Sequence, residues 1–150
     1  MTERIIGYHG TTKENAEIII LQQKMKPSTG YDEWLSRGIY FFTQVGDAKW
    51  WCSQRNYKEH SIIVADMECE EDFILNLVDD LEDIEMFSEV CMAVKDKSPR
   101  LPDGTRKKNY MQLAIDRMRY VLRVKFNKDI FMAKALFKEN RKTKLKSVHF

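Results

Sequence analysis

The sequence has little that would cross-link the chain or anchor it in a membrane. Its three cysteines, Cys52, Cys69 and Cys91, are odd in number and widely spaced, a pattern that fits neither a disulfide framework nor a zinc site. We therefore expect reduced, mostly buried thiols and no bound metal. No apolar run approaches the roughly 20 residues that a membrane-spanning helix needs, so we expect no membrane partner.

We also expect no secretory signal, because residues 1–4 lack a basic region followed by a long apolar stretch. We therefore expect a cytoplasmic protein. The chain has 150 residues, of which 43% are apolar and 32% charged. This length and composition predict one globular domain over residues 1–150.

Basic residues are absent from residues 66–90, which carry 11 acidic side chains. Residues 91–150 carry 17 basic and 5 acidic side chains, so the overall charge of +2 hides a strong segregation. The asymmetry indicates either a polyanionic partner for the basic part or internal pairing of the two blocks. The third alternative is that both blocks are solvated surface.

Hydrophobic periodicity and breaker residues predict the order of helices and strands. Thr11 has the position of a helix N-cap, with Glu14 completing a capping box. We expect strands at residues 4–9, 38–42, 62–67, 110–115 and 119–126, and helices at residues 11–24, 47–56, 73–94 and 129–138.

Residues 97–109 differ from the rest because they hold two of the three prolines and an Asp-Gly turn signal. This segment predicts an exposed loop whose basic residues are Lys97, Arg100, Arg106, Lys107 and Lys108.

Two short segments suggest binding chemistry. His9 precedes Gly10, whose backbone a ligand could approach closely, and a neutral imidazole could bond a sugar hydroxyl. Tyr40 lies in a Gly-Ile-Tyr-Phe-Phe run at residues 38–42 and could stack on a flat ring. Taken singly, His9 could be a structural hydrogen-bonding residue and Tyr40 a core residue.

Four features follow one another along the chain: the Tyr-His-Gly-Thr segment of residues 8–11, the helix after it, residues 38–42, and an alanine and an aromatic residue about ten positions further on. Together they resemble the ADP-ribosyltransferases of the His-Tyr-Glu group. The likeness is closest to small bacterial or phage members. It covers residues 6–52, is weaker over residues 62–77 and returns at residues 110–115. It implies an α+β fold with a split antiparallel sheet and flanking helices around an NAD cleft, followed by a basic C-terminal extension at about residues 119–150.

The resemblance also implies a role for each matching residue. His9 would hold the ribose, Gly10 the nicotinamide amide, and Tyr40 would stack on the nicotinamide ring. Trp51, or less favourably Trp50, would flank the other face of the ring, and Tyr31 would close the pocket. The implied NAD-binding set is His9, Gly10, Thr11, Tyr31, Gly38, Tyr40, Trp50 and Trp51, and the implied catalytic set is His9, Tyr40 and Gln112.

Gln112 stands where the best-known members of the group have a glutamate. A glutamine can still bond ribose hydroxyls, but it cannot act as a general base. This departure favours transfer of a single ADP-ribose unit over polymer synthesis.

The resemblance places the loop before residues 110–115 near the acceptor, and here that loop carries Arg100, Arg106, Lys107 and Lys108. These charges favour RNA or DNA slightly over a protein acceptor, although they could instead hold the diphosphate of NAD or pair with the acidic block. Two other functions stay open, an NAD glycohydrolase and a catalytically silent NAD- or ADP-ribose-binding module. By analogy with small transferases of this type, the protein would be a toxin or phage-conflict effector with an antitoxin or inhibitor partner.

Overall fold

The computed structural model describes residues 1–28, 38–95, 111–138 and 145–149. Over these residues the chain has an α+β fold with a six-stranded sheet in the order β3-β1-β2-β6-β5-β4. The β4–β5 pair is parallel and the other pairs are antiparallel. The strands are β1 Thr2–Thr12, β2 Phe41–Phe42, β3 His60–Glu70, β4 Ile74–Asn76, β5 Met132–Lys138 and β6 Leu145–His149. The helices are α1 Lys13–Gln22, α2 Val45–Gln54, α3 Leu81–Lys95 and α4 Met111–Phe126, with a 3-10 turn at Glu71–Phe73.

The longest ladder joins β1 to β3 and confirms the predicted strands at residues 4–9 and 62–67. It runs from the Thr2–Glu70 pair to the Thr12–His60 pair, so both strands extend beyond their predicted ends. Successive side chains of a strand point to opposite faces. The ladder therefore fixes which residues of β1 lie together on each face of the sheet.

The sheet bends so that its two halves face each other. Ile5 of β1 packs against Ile74 of β4 and Met132 of β5, although β2 and β6 lie between these strands in the sheet order. The Lys134 ammonium of β5 also donates to the Glu3 carboxylate of β1. The strands β3, β1 and β2 therefore form one half of the sheet, and β6, β5 and β4 form the other.

Each half is covered on its other side by helices. Leu75 of β4 and Ala133 and Ala135 of β5 pack in one cluster with α3 and α4. On the first half, Ala48 of α2 packs with Phe42. None of the described helices is long and apolar enough to cross a membrane.

Helix α1 begins one residue later than predicted. Thr12, in extended conformation, is the N-cap, and its hydroxyl accepts the Asn15 N–H at 3.1 Å. Thr11 is instead the last buried residue of β1, and its hydroxyl accepts from the Asn15 side-chain amide at 2.7 Å. The prediction of Thr11 as the cap was therefore wrong by one position, because β1 continues through both threonines.

Residues 110–126 were predicted as two strands, but Met111–Phe126 is one helix. Its buried residues are Ala114, Ile115, Met118 and Leu122, which are spaced as one face of a helix. The apparent alternation came from Tyr120, Val124 and Phe126, which are 56%, 63% and 62% exposed and so carry no information about the buried face.

The converse error occurred at residues 129–138, which were predicted as a helix and contain β5. Ala133 and Ala135 lie on the helix-facing side, while Met132 and Lys134 lie on the side towards β1. Alanine favours helices intrinsically, but tertiary packing overrides that preference here. Likewise Ile74–Asn76, within the predicted helix of residues 73–94, is strand β4, and only Leu81–Lys95 is helical.

Internal pairing of the acidic and basic blocks was one alternative drawn from the sequence. Ion pairs between described residues join Asp66 to Arg4, Lys134 to Glu3, and Arg123 to Asp129. None of these three joins residues 66–90 to residues 91–150, although the positive charge of Lys128 acts on the Asp83 carboxyl across the two blocks. The predicted basic loop of residues 97–109 lies outside the described residues.

Helix α2 approaches β1 closely at Gly10, and this contact yields a test of the packing. A Cβ on Gly10 would lie 2.7 Å from both the Ala48 carbonyl oxygen and Cys52 Sγ. We expect Gly10→Ala to lower the free energy of unfolding by about 1–3 kcal/mol because the helix must shift. Urea denaturation would measure the change.

Gly46→Ala is the matched control within the same helix. A Cβ on Gly46 would meet no described atom within 4 Å, so alanine there should be neutral or should stabilise by up to about 1 kcal/mol. Equal stabilities of the two variants would contradict the close packing of α2 on β1.

Candidate functional site

His9 joins the two segments that the sequence singled out. It lies inside β1 rather than at its end, and its ring centroid is 5.8 Å from that of Phe41. Its Nδ1 lies 2.8 Å from the carbonyl oxygen of Tyr40. The hydrogen bond holds the chain just before β2 against the middle of β1.

This hydrogen bond determines the tautomer of His9. A carbonyl oxygen can only accept, so Nδ1 must carry the proton and donate it to Tyr40. In the neutral ring the other nitrogen, Nε2, is then without a proton. Nε2 is therefore an acceptor that can receive a hydrogen bond from a hydroxyl group.

The neutral form of His9 is favoured by its surroundings. Burial lowers the pKa of His9 from its ordinary value of 6.5, and the bond to the Tyr40 carbonyl opposes this only in part. Near neutral pH the ring is therefore uncharged, and Nε2 keeps its acceptor lone pair.

Beside His9, one edge of β1 has no ladder partner among the described residues. β1 pairs with β3 through Thr12, whereas its pairing with β2 occurs at Tyr8 opposite Phe42. Beyond Tyr8, β1 thus has a ladder partner on one side only within the described residues. Alternate residues of a strand direct both N–H and C=O to the same edge, so the unpaired edge of β1 (residues 9–12) carries backbone donors and acceptors, with Gly10 and Thr11 buried there.

Tyr40 lies between two packed clusters. It is half-buried and contacts the Phe42–Ala48 cluster beside α2 as well as the cluster of α3 and α4. The predicted strand of residues 38–42 is shorter in the structure, where only Phe41 and Phe42 are paired. Tyr40 therefore lies on the irregular segment that leads into β2, and the His9 bond fixes its backbone.

Trp51 is not brought next to His9. Its ring lies 6.5 Å from that of Phe42 and 5.4 Å from the Arg55 guanidinium. Since Phe41 and Phe42 point to opposite faces of the sheet, the rings of His9 and Trp51 lie on opposite faces. Trp51 was predicted to flank the other face of the nicotinamide ring beside His9. No contact between Trp51 and His9 supports that role among the described residues.

Three other predicted positions have defined surroundings. Gly10 packs under α2, as described above. Gly38 accepts the Ser28 N–H at 2.9 Å through its carbonyl oxygen, and Trp50 lies half-buried on α2. Five predicted residues lie outside the described ranges, namely Tyr31, Arg100, Arg106, Lys107 and Lys108.

Gln112 lies on α4, not on the strand that the resemblance implied. Its backbone position is one helical turn before Ile115. The strand that neighbours β2 is instead β6, with His149 opposite Phe41 and Val148 opposite Phe42. The C-terminal segment therefore supplies the strand next to the Tyr40 segment.

A cavity that sequence reasoning missed lies beside Phe41. It has a volume of about 390 Å³ and is lined by residues of five elements, among them Met67, Leu75, Ile115 and Met132. These residues are far apart in sequence and mostly apolar, so their pattern indicated only a core. Among the described residues, no group of three or more histidines, cysteines or carboxylates is placed to hold a metal ion.

Comparison with known proteins leaves the family open. No protein-family model matches the chain, and no solved structure matches it. An uncharacterized protein of Methanocaldococcus jannaschii is 39% identical over 80 residues, which are 49% of this chain and 37% of that protein. The match thus covers just over a third of that relative's length.

The lowered pKa of His9 predicts a pH dependence of stability. The neutral ring is favoured in the folded state, so its contribution is fully present above the ordinary pKa of 6.5 and is lost as the pH falls below it. We expect the free energy of unfolding to fall between about pH 7.5 and about pH 5.5, and this fall to be smaller in His9→Phe.

His60→Phe provides the control, because His60 is an exposed histidine on the neighbouring strand. Denaturant unfolding at both pH values measures the free energy of unfolding of wild type, His9→Phe and His60→Phe. If His9→Phe and wild type lose stability equally on acidification, His9 is not held in the neutral form.

Proposed function

We propose that the protein binds NAD and transfers its ADP-ribose unit to an acceptor. The observation that carries the proposal is the hydrogen bond between His9 and the Tyr40 carbonyl at 2.8 Å. It joins the two segments that resemble an ADP-ribosyltransferase pocket and leaves His9 Nε2 as an acceptor. The bent sheet, with its halves facing each other, supports the finer proposal of an ADP-ribosyltransferase-like split sheet around the cleft.

His9 suits the ribose of NAD. A neutral Nε2 accepts a hydrogen bond from a ribose hydroxyl without placing a cation beside the anomeric carbon. This matters because cleavage of the nicotinamide–ribose bond develops positive charge on the sugar, as in glycoside cleavage. A protonated histidine at this place would oppose that charge.

The unpaired edge of β1 is the proposed partner of the nicotinamide amide. A carboxamide has both donors and an acceptor, and an unpaired strand edge offers the complementary backbone groups. Tyr40 is the residue proposed to stack on the ring. Its backbone is fixed by His9, while its side chain here packs against the Phe42–Ala48 cluster. In this proposal the protein accelerates the reaction mainly by holding the ribose in the right position and orientation relative to the acceptor.

In the proposed reaction the bond from the nicotinamide nitrogen to the ribose C1′ breaks, and nicotinamide leaves with the bonding electron pair. The acceptor oxygen or nitrogen forms the new bond to C1′ and loses its proton to water or buffer. The proposed role of Gln112 is to bond the ribose from α4, and a glutamine there fits single transfers. RNA or DNA stays the favoured acceptor over protein.

Two alternatives share the same pocket. A glycohydrolase would use water as the acceptor and would release free ADP-ribose. A silent binding module would bind NAD without releasing nicotinamide. Both keep the His9 geometry and differ from the transferase only in products.

Incubation with NAD labelled in the adenine part tests the proposal. We expect nicotinamide release and label on macromolecules of a lysate, and loss of that label after nuclease but not protease treatment. Label that survives nuclease and is lost to protease would show a protein acceptor instead. Free ADP-ribose without any macromolecular label would contradict transfer, and no nicotinamide release would contradict the enzyme.

Paired variants assign the activity to the site. His9→Phe keeps a ring beside Phe41 but loses both Nε2 and the hydrogen bond to the Tyr40 carbonyl, and Tyr40→Ala loses the stacking ring. We expect each to lower kcat/KM for nicotinamide release by roughly tenfold or more, the effect of about 1.4 kcal/mol. His60→Phe and Tyr120→Ala are the matched controls because both residues are exposed. Equal losses in the controls would contradict the assignment.

A further inference from the structure

The cavity beside Phe41 opens where the two halves of the sheet meet α4. Phe41 and Met67 belong to the first half, Leu75 and Met132 to the second, and Ile115 to α4. Its volume of about 390 Å³ lies within the range of small-molecule sites.

The lining favours an apolar ligand body. The lining includes Phe41 together with Met67 and Met132, whose side chains carry polarizable thioethers. Methionine side chains adapt to irregular shapes and contact rings favourably. An aliphatic chain or a ring would therefore be well accommodated.

Among the described residues that line the cavity, Arg119 is the charged one. It is exposed, so its guanidinium lies at the rim, and no described residue forms an ion pair with it. It stands one helical turn after Ile115, which lines the interior. An apolar interior with a cation at the rim is complementary to a molecule that has an apolar body and an anionic end.

We propose that this cavity binds a small amphipathic anion, with its apolar body between the two halves of the sheet and its carboxylate at Arg119. The proposal does not depend on NAD binding. Phe41 contacts both the cavity and the His9 ring, so the ligand would lie next to the candidate site without using His9 itself.

Displacement of the fluorescent anion 1-anilinonaphthalene-8-sulfonate from the full chain tests the proposal. The competitors are decanoate and 1-decanol, which share an apolar chain and differ in charge. We expect decanoate to displace the probe at an about fivefold lower concentration than 1-decanol, as a rim-exposed ion pair would give. Equal displacement by the two would overturn the assignment of Arg119.

Four variants complete the test. Arg119→Gln should abolish the preference for decanoate, while Arg117→Gln should keep it, because Arg117 faces the Tyr120 ring at 5.3 Å and is not part of the lining. Ile39→Trp and Met67→Trp should fill the cavity and weaken both competitors by roughly tenfold or more.

Thermal unfolding followed by circular dichroism shows which filling variants are folded. One folded filling variant is sufficient, and unchanged binding in it would overturn the proposal. If neither variant folds, the comparison of Arg119→Gln with Arg117→Gln decides, since both residues are exposed.

Discussion

The hydrogen bond from His9 Nδ1 to the Tyr40 carbonyl at 2.8 Å is the interaction on which the candidate site depends. It attaches the segment before β2 to the middle of β1 at the point where the β1–β2 pairing has ended. It also sets the tautomer of His9, and burial keeps the ring neutral. The chemistry proposed for the site follows from a partly buried, neutral acceptor beside a strand edge that is unpaired among the described residues.

The surrounding fold makes that arrangement possible. The ladder between β1 and β3 occupies one edge of β1 along the whole strand. Contacts of Ile5 with Ile74 and Met132 turn the second half of the sheet towards the first. The same bend creates the cavity beside Phe41, so the two proposed binding sites are neighbours for one structural reason.

The N-terminal half could be predicted from the sequence because its signals are local. Residues 4–9 and 62–67 are apolar strand-like runs, and residues 11–14 carry a cap signal that is displaced by only one position. The C-terminal half could not, because exposed Tyr120 and Val124 imitated a strand pattern on a helix. The cavity and the β2–β6 pairing depend on residues distant in sequence, and local periodicity contains no information about them.

The most direct test is an NMR measurement of the nitrogen-15 shifts of the His9 imidazole at neutral pH, with and without NAD. The account predicts a protonated Nδ1, an unprotonated Nε2, and a change at Nε2 when NAD is added. A protonated Nε2, or an Nε2 that does not respond to NAD, would contradict it.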